Sequence, residues 1–118
     1  MQSPEAGQTH GAPRARTGAL VTVGRADAVP EGRAATVTLA DGAELALFNV
    51  GGTFYALANS CPHRGAPLAE GNLCGAAVEC DWHGWRFDLA TGACLTHPSD
   101  AAETYEVVVE DGWIKIKV

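Results

Sequence analysis

Residues 61–85 read CPHRGAPLAEGNLCGAAVECDWHGW, and this stretch contains two short segments in which a histidine closely follows a cysteine. One residue separates Cys61 from His63, two separate Cys80 from His83, and sixteen residues lie between the two pairs. A glycine follows each histidine closely, so backbone N–H groups can approach whatever these side chains bind. Half of the four cysteines and half of the four histidines fall in these segments. The pairing therefore favours a shared metal site over isolated buried thiols and solvated imidazoles.

The ligand types and their order narrow the choice of metal. Thiolate and imidazole are soft ligands, which suit zinc or iron–sulfur centres better than magnesium or calcium. Structural zinc sites most often contain two cysteines spaced Cys-x₂₋₄-Cys. No Cys-x-x-Cys occurs in this chain, and the Cys-x-His segment comes first. The pattern favours an iron–sulfur centre, and a zinc-stabilised binding module is the alternative from a different functional class.

The two segments resemble the Rieske iron–sulfur motif, which has a Cys-x-His and a Cys-x-x-His segment at a similar separation. The resemblance extends over residues 18–118 and implies one [2Fe–2S] cluster per chain, held by Cys61, His63, Cys80 and His83. It also implies that both cysteines bind the inner iron and both histidines the outer, solvent-edge iron. Two imidazoles replace two thiolates, so the reduction potential should lie above that of an all-cysteine cluster and depend on pH.

The resemblance to the high-potential members, those of quinol-oxidising respiratory complexes, is incomplete. Those proteins have one extra cysteine in each ligand loop, where this chain has Ala66 and Trp82, so their disulfide cannot form here. They also have a serine and a tyrosine that hydrogen-bond the cluster and its ligand, where this chain has Trp85 and Phe87. Donors to sulfur stabilise the reduced state, so their loss predicts a potential on the order of −150 mV.

Two kinds of Rieske protein share these features. The resemblance to soluble ferredoxins of ring-hydroxylating dioxygenases implies an electron carrier that passes single electrons from a reductase to a terminal oxygenase. The resemblance to the small Rieske subunit of assimilatory nitrite reductases is the alternative. The sequence suggests no catalytic base, nucleophile or open metal position, so we expect no enzyme activity and no small-molecule substrate.

Composition restricts the partners and the compartment. The chain has 118 residues, 47% of them hydrophobic, which fits a single domain. Its net charge of −6 argues against nucleic acid as a partner, because phosphate binding needs clustered Lys and Arg. No apolar run approaches the roughly 20 residues that cross a bilayer, and residues 1–17 lack the apolar core of a signal peptide. We therefore expect no membrane association and a cytoplasmic protein, whose thiols stay reduced.

The rest of the chain predicts short strands joined by tight turns. Alternating apolar and polar residues, with turn signals such as Gly51-Gly52, are typical of β-hairpins. The predicted strands are residues 19–24, 33–39, 44–50, 53–58, 76–80, 85–88, 93–96, 105–110 and 113–118. Residues 61–72, with two prolines and two glycines, are predicted to contain no regular element.

The predicted fold class is all-β: a Rieske fold, an antiparallel β-sandwich of hairpins with a two-loop cluster-binding subdomain. Residues 1–17, rich in Pro, Gly and Ala, are predicted to be a disordered N-terminal tail. Residues 18–118 would form the Rieske domain, with the cluster-binding subdomain at about residues 59–98.

Several residues near the motif have two interpretations. The segment Thr96-His97-Pro98-Ser99 resembles the Pro-containing loop that covers the cluster in this family, or is an ordinary turn with a solvated His97. Trp82 and Trp85 would shield the cluster, form an apolar docking rim or pack in the core. Cys74 and Cys94 do not fit the motif and are predicted to be buried thiols, with a disulfide between them as the alternative.

Overall fold

The computed structural model describes residues 17–61, 67–80, 85–97 and 100–118, and these contain ten β-strands and no α-helix. The strands are β1 (Leu20–Arg25), β2 (Ala34–Thr38), β3 (Glu44–Val50), β4 (Thr53–Ala58), β5 (Asn72–Cys74), β6 (Ala77–Glu79), β7 (Arg86–Asp88), β8 (Thr104–Tyr105), β9 (Val107–Glu110) and β10 (Trp113–Lys117). Two short 3₁₀ turns cover Ala26–Ala28 and Leu68–Glu70. In the described ranges no helix has the length and apolar character needed to cross a membrane. The predicted all-β fold class is confirmed.

The strands form three antiparallel sheets, which we name by position. The terminal sheet has the order β9-β10-β1, the central sheet β2-β3-β4-β8 and the loop sheet β5-β6-β7. In β3 every side chain from Leu45 to Asn49 is buried. Because successive side chains of a strand point to opposite faces, such a strand must be covered on both sides. The central sheet is therefore the middle layer of the protein.

Each face of the central sheet packs into a separate hydrophobic core. The basal core, between the central and terminal sheets, consists of Val29, Leu39, Leu45, Leu47, Ala56, Tyr105, Ile114 and Ile116. The cysteine core, between the central and loop sheets, consists of Ala46, Phe48, Leu57, Cys61, Leu68, Val78, Cys80, Phe87, Leu89, Cys94 and Ala102. Three of the four cysteines of the chain lie in the second core, on the side of the predicted ligand segments.

The β3–β4 hairpin has the bounds that its sequence predicts. Gly51 and Gly52 have φ angles of +61° and +90°, which residues with a Cβ rarely adopt. The buried Asn49 closes the turn, because its Oδ1 accepts the Gly52 N–H at 2.9 Å and its Nδ2 donates to the Val29 carbonyl oxygen at 2.7 Å. This hairpin forms the centre of the middle layer.

The structure departs from the predictions in the loop sheet. The prediction of no regular element in residues 61–72 is wrong in the described part, which contains the 3₁₀ turn Leu68–Glu70 and the first residue of β5. Leu68 is fully buried, so its packing holds this turn in place despite the neighbouring Pro67. Residues 93–96, predicted as a strand, form only isolated bridges from Ala93 and Cys94.

The N-terminal end of the described chain is attached to the terminal sheet. The backbone N–H groups of Thr17 and Gly18 both donate to the Val118 carbonyl oxygen, at 2.9 and 2.7 Å. Residues 1–16 of the predicted tail lie outside the described residues. Thr17 and Val118, the first and last described residues, therefore lie together at the edge of the terminal sheet.

Candidate metal centre

Cys61 lies three residues beyond the end of β4, and its side chain is fully buried. The intervening Asn59 extends the pairing between β4 and β3, because its backbone N–H donates to the Glu44 carbonyl oxygen at 3.0 Å. The central sheet therefore fixes the backbone to within two residues of the first predicted ligand.

Cys80 directly follows β6, and its side chain is 1% exposed. Strands β6 and β7 pair Glu79 with Arg86, and the Cys80 backbone N–H donates to the Trp85 carbonyl oxygen at 2.6 Å. These bonds place Cys80 at the paired end of the β6–β7 hairpin. The first residue of the second ligand segment is therefore held by strand pairing and not by a free loop.

The two predicted cysteine ligands are buried in the same cysteine core, although they follow strands of different sheets. Leu68, Val78 and Phe87 pack in the same core, and each is 0% exposed. Apolar surroundings exclude water, and buried thiols on two separate hairpins form a donor pair suited to a soft metal centre.

Gly71 allows the chain before β5 to lie close to the end of β6. A Cβ built on Gly71 would overlap the Glu79 carbonyl oxygen and crowd the Val78 side chain. Its φ of −78° is open to any residue, so close approach alone requires glycine at this position. This contact places the chain that follows the first ligand segment against the residue that precedes Cys80.

A third segment, residues 94–97, packs beside the second ligand hairpin. The Leu95 N–H donates to the Arg86 carbonyl oxygen at 2.8 Å. The rings of Trp85 and His97 stack with centroids 3.7 Å apart and 22° between their planes. His97 is exposed, but its ring lies on the half-buried Trp85, which itself packs against the cysteine core. His97 is therefore held at the ligand hairpin, while Pro98 and Ser99 of the predicted third loop lie outside the described residues.

The two cysteines outside the motif have different environments. Cys94 is 2% exposed, and its sulfur accepts the His97 backbone N–H at 3.2 Å. Cys74 is exposed, so the prediction that both are buried is wrong for Cys74. β5 turns Leu73 towards the interior, and strand alternation then turns Cys74 outwards. No disulfide joins the two.

Half of the predicted ligand set can be located. His63 and His83 lie outside the described residues, as do Ala66 and Trp82. Within the described ranges no three His, Cys, Asp or Glu side chains form a metal-binding group. The described pair, Cys61 and Cys80, has the thiolate chemistry that iron–sulfur clusters require. The residues present therefore fit such a centre, and the histidine ligands stay a prediction.

Asn59 is a structural residue of this region that sequence reasoning missed. Its side chain is buried, and its Oδ1 accepts the Ala69 backbone N–H at 2.8 Å. The available signal was a polar residue directly after a strand and two residues before a ligand. The same signal is typical of an ordinary surface turn, so only the fold separates the two.

Comparison with known proteins gives a consistent assignment. Residues 19–109 match the family model of the Rieske [2Fe–2S] domain. The ferredoxin component of the p-cumate 2,3-dioxygenase system of Pseudomonas putida is 41% identical over 101 residues, which cover 84% of this chain and 86% of the relative.

Solved structures resemble the whole fold. A chain in the complex of reduced oxygenase and oxidized ferredoxin of carbazole 1,9a-dioxygenase has a TM-score of 0.78 and 31% identity, over 86% of this chain and 94% of that chain. A Mycobacterium tuberculosis protein described as an NADH-dependent nitrite reductase small subunit has a TM-score of 0.78 and 28% identity, over 83% of this chain and 93% of that chain.

Proposed function

This chain belongs to the Rieske [2Fe–2S] domain family, and from that premise we propose that it holds one cluster through Cys61, His63, Cys80 and His83. In this family the two cysteines bind one iron and the two histidines bind the other. Cys61 and Cys80 would hold the inner iron, and His63 and His83 the outer iron. The burial of both thiols supports this division, because a buried pair suits the iron farther from solvent.

One observation supports this proposal more strongly than the alternatives. Two thiols from separate hairpins lie fully buried in a single core, and no disulfide joins them. Binding of both sulfurs to the same metal atom would explain why two thiols are buried in one core. The competing zinc module has no support from the family assignment, and it would contain no acid-labile sulfide.

The function that follows is electron transfer. The chain acts as a ferredoxin that passes single electrons from a reductase to a terminal oxygenase, as the similarity to the p-cumate 2,3-dioxygenase ferredoxin component supports. When bound, the cluster supplies a centre that gains and loses one electron. The chain itself contributes the ligands and a rigid surrounding, and it is not the enzyme that transforms a substrate.

The described residues perform two tasks at this site. Leu68, Val78 and Phe87 surround the buried thiols with apolar atoms and exclude water, which keeps the local dielectric constant low. The hydrogen bond at Cys80 and the contact of Gly71 with Glu79 help to hold the described residues beside the two ligand segments in place. A rigid ligand set changes little between oxidation states, which favours fast electron exchange.

A second candidate function has specific support. The likeness to the nitrite reductase small subunit is as close in fold as that to the dioxygenase complex, with a TM-score of 0.78 in both cases. In that role the chain would deliver electrons within a reductase complex. The higher sequence identity to the dioxygenase ferredoxin component makes the oxygenase role the leading proposal. We propose a cytoplasmic location for either role, supported by the exposed unpaired thiol of Cys74, which suits a reducing compartment.

Spectroscopy of the purified protein tests the cluster. The visible absorption and the low-temperature EPR spectrum of the reduced protein should show a [2Fe–2S] centre with mixed Cys and His ligation. Iron and acid-labile sulfide should each approach two per chain, as one such cluster requires. A colourless protein that contains zinc and no sulfide would refute the proposal.

A reconstituted assay separates the two candidate functions. The reduced protein should support turnover of a ring-hydroxylating oxygenase, with the protein limiting the rate at low concentration. The matched assay replaces the oxygenase by the large subunit of a nitrite reductase. Turnover only in the second assay would assign the chain to nitrite reduction.

A further inference from the structure

Asn59 and Asn49 are the two polar residues that are buried in the described ranges, with 8% and 6% of their surfaces exposed. A buried amide is costly unless its polar atoms are hydrogen-bonded. Asn49 has a clear task, since it closes the β3–β4 turn. Asn59 lies two residues before Cys61, so its hydrogen bonds affect the position of the backbone at the first predicted ligand.

The Asn59 side chain joins the two ends of that segment. Its Oδ1 accepts the Ala69 backbone N–H at 2.8 Å, ten residues along the chain. The bond links Asn59 to Ala69, which closes a loop in the chain, and the described residues near its two ends, Cys61 and Leu68, are both buried in the cysteine core. Closing such a loop lowers the conformational entropy of the residues inside it.

The same residue anchors this loop to the central sheet. The Asn59 backbone N–H donates to the Glu44 carbonyl oxygen at 3.0 Å. Its Nδ2 lies 3.4 Å from Glu44 Oε1 and 3.5 Å from Thr36 Oγ1, on the strands β3 and β2. These bonds set the orientation of the amide, so its oxygen is directed at Ala69.

We propose that Asn59 is a positioning residue for Cys61, the first predicted iron ligand. It acts by holding the chain at Asn59 and Ala69 together against the central sheet, which keeps Cys61 in the cysteine core. This inference rests on the proposed cluster. Ligands fixed in advance bind more tightly than ligands that must be ordered by the metal, and partners that orient ligands typically contribute about 10–100-fold in metal affinity.

The test compares three variants of the full chain that carry the cluster. Asn59→Ala removes the acceptor for the Ala69 N–H. Asn59→Asp keeps an acceptor oxygen at the same place, while its charge lies near Glu44 and lowers the melting temperature. Asn49→Ala removes a buried amide of the same kind at the other end of β3, and serves as the matched control for lost stability.

The rate of cluster loss is followed by the decay of visible absorption in the presence of an iron chelator, well below the melting temperature of each variant. Asn59→Ala should lose the cluster about tenfold faster than the parent protein, with an altered EPR spectrum. Asn59→Asp and Asn49→Ala should stay within about twofold of the parent rate, with unchanged spectra. If Asn59→Ala does not fold, Asn59→Ser removes the same acceptor with a smaller change in side-chain size.

Two results would overturn the inference. Equal rates of cluster loss in Asn59→Ala and Asn49→Ala would show that Asn59 contributes only stability. Loss of the cluster from Asn59→Asp at the rate of Asn59→Ala would show that the acceptor oxygen is not what matters. A parent protein that contains no cluster would refute the proposed function instead, so the two failures are distinguishable.

Discussion

The two cores on either face of the central sheet differ in what covers them. The basal core is covered by the terminal sheet, whose strands have four to six residues and turn Ile114 and Ile116 inwards. The cysteine core is covered by the loop sheet, whose three strands have three residues each. Strands this short bury little surface and are marginal by themselves. We therefore expect packing to hold the half that contains the terminal sheet, and the proposed cluster to contribute to the stability of the half that contains the loop sheet.

A variant that loses the cluster should show the largest difference in stability between the two halves. Cys80→Ser replaces a ligand sulfur by a hydroxyl, so the cluster should be lost, because a neutral hydroxyl binds iron poorly beside thiolates. Amide hydrogen exchange in β6 and β7 should then accelerate by about 100-fold or more, since metal binding is coupled to local folding. Exchange in β3 and β10 should change much less. Cys74→Ser, at an exposed thiol outside the motif, is the control.

Uniform acceleration across all three sheets in Cys80→Ser would contradict the comparison, because it would make the two halves one cooperative unit. Retention of the full cluster in this variant would contradict the ligand assignment itself. These two outcomes are read from the same sample, by hydrogen exchange and by absorption.

Adjacent residues of β3 allow the next test, because Leu47 faces the basal core and Phe48 the cysteine core. Both side chains are almost fully buried, with 2% and 0% exposed. Leu47→Ala should lower the free energy of unfolding by about 2–5 kcal/mol and Phe48→Ala by about 3–5 kcal/mol, measured by denaturant titration. Only Phe48→Ala should also accelerate cluster loss to a chelator. Equal acceleration in both variants would show that the two cores are not independent.

A smaller effect is expected at Gly71, whose backbone lies against Glu79 at the end of β6. Gly71→Ala places a Cβ against the Glu79 carbonyl oxygen, and the resulting shift should cost about 1–3 kcal/mol in the free energy of unfolding. Gly24→Ala in β1 is the control, because nothing lies within 4 Å of a Cβ at that position. It should change stability by no more than about 0.5 kcal/mol. A Gly71→Ala variant as stable as Gly24→Ala would show that the backbone of the loop sheet can shift without a loss in the free energy of unfolding.

The difference in strand length between the sheets also explains which elements could be predicted from the sequence. The bounds of β3 and β4 followed from apolar alternation and the Gly51-Gly52 turn, because long paired strands leave a periodic pattern. β5 and the turn at Leu68 have no such pattern, since three-residue elements exist only through tertiary packing. Prediction was therefore most accurate in the long paired strands of the central sheet and least accurate in the short elements of the loop sheet.

The candidate site shows a similar division. Cys61 and Cys80 were predicted as ligands from spacing and ligand chemistry, and the fold buries both in one core. Their role as ligands stays a prediction. Asn59 and Gly71 were not identified, because their roles depend on atoms ten and eight residues away in the chain. A ligand is recognisable from its own chemistry, whereas a residue that positions it is recognisable only from its contacts.

The smallest predicted effect concerns the reduction potential. Phe87 is fully buried in the same core as both predicted cysteine ligands. In Phe87→Tyr a hydroxyl that reaches a ligand sulfur would stabilise the reduced state by about 1–2 kcal/mol, which is a rise of roughly 40–90 mV for one electron. Phe54→Tyr adds the same hydroxyl beside the basal core and should leave the potential unchanged. Redox titration followed by visible absorption measures both variants. An unchanged potential in Phe87→Tyr would show that the added hydroxyl does not reach a ligand sulfur. Equal shifts in both variants would show that a hydroxyl changes the potential from either core, so proximity to the cysteine core would not explain the effect.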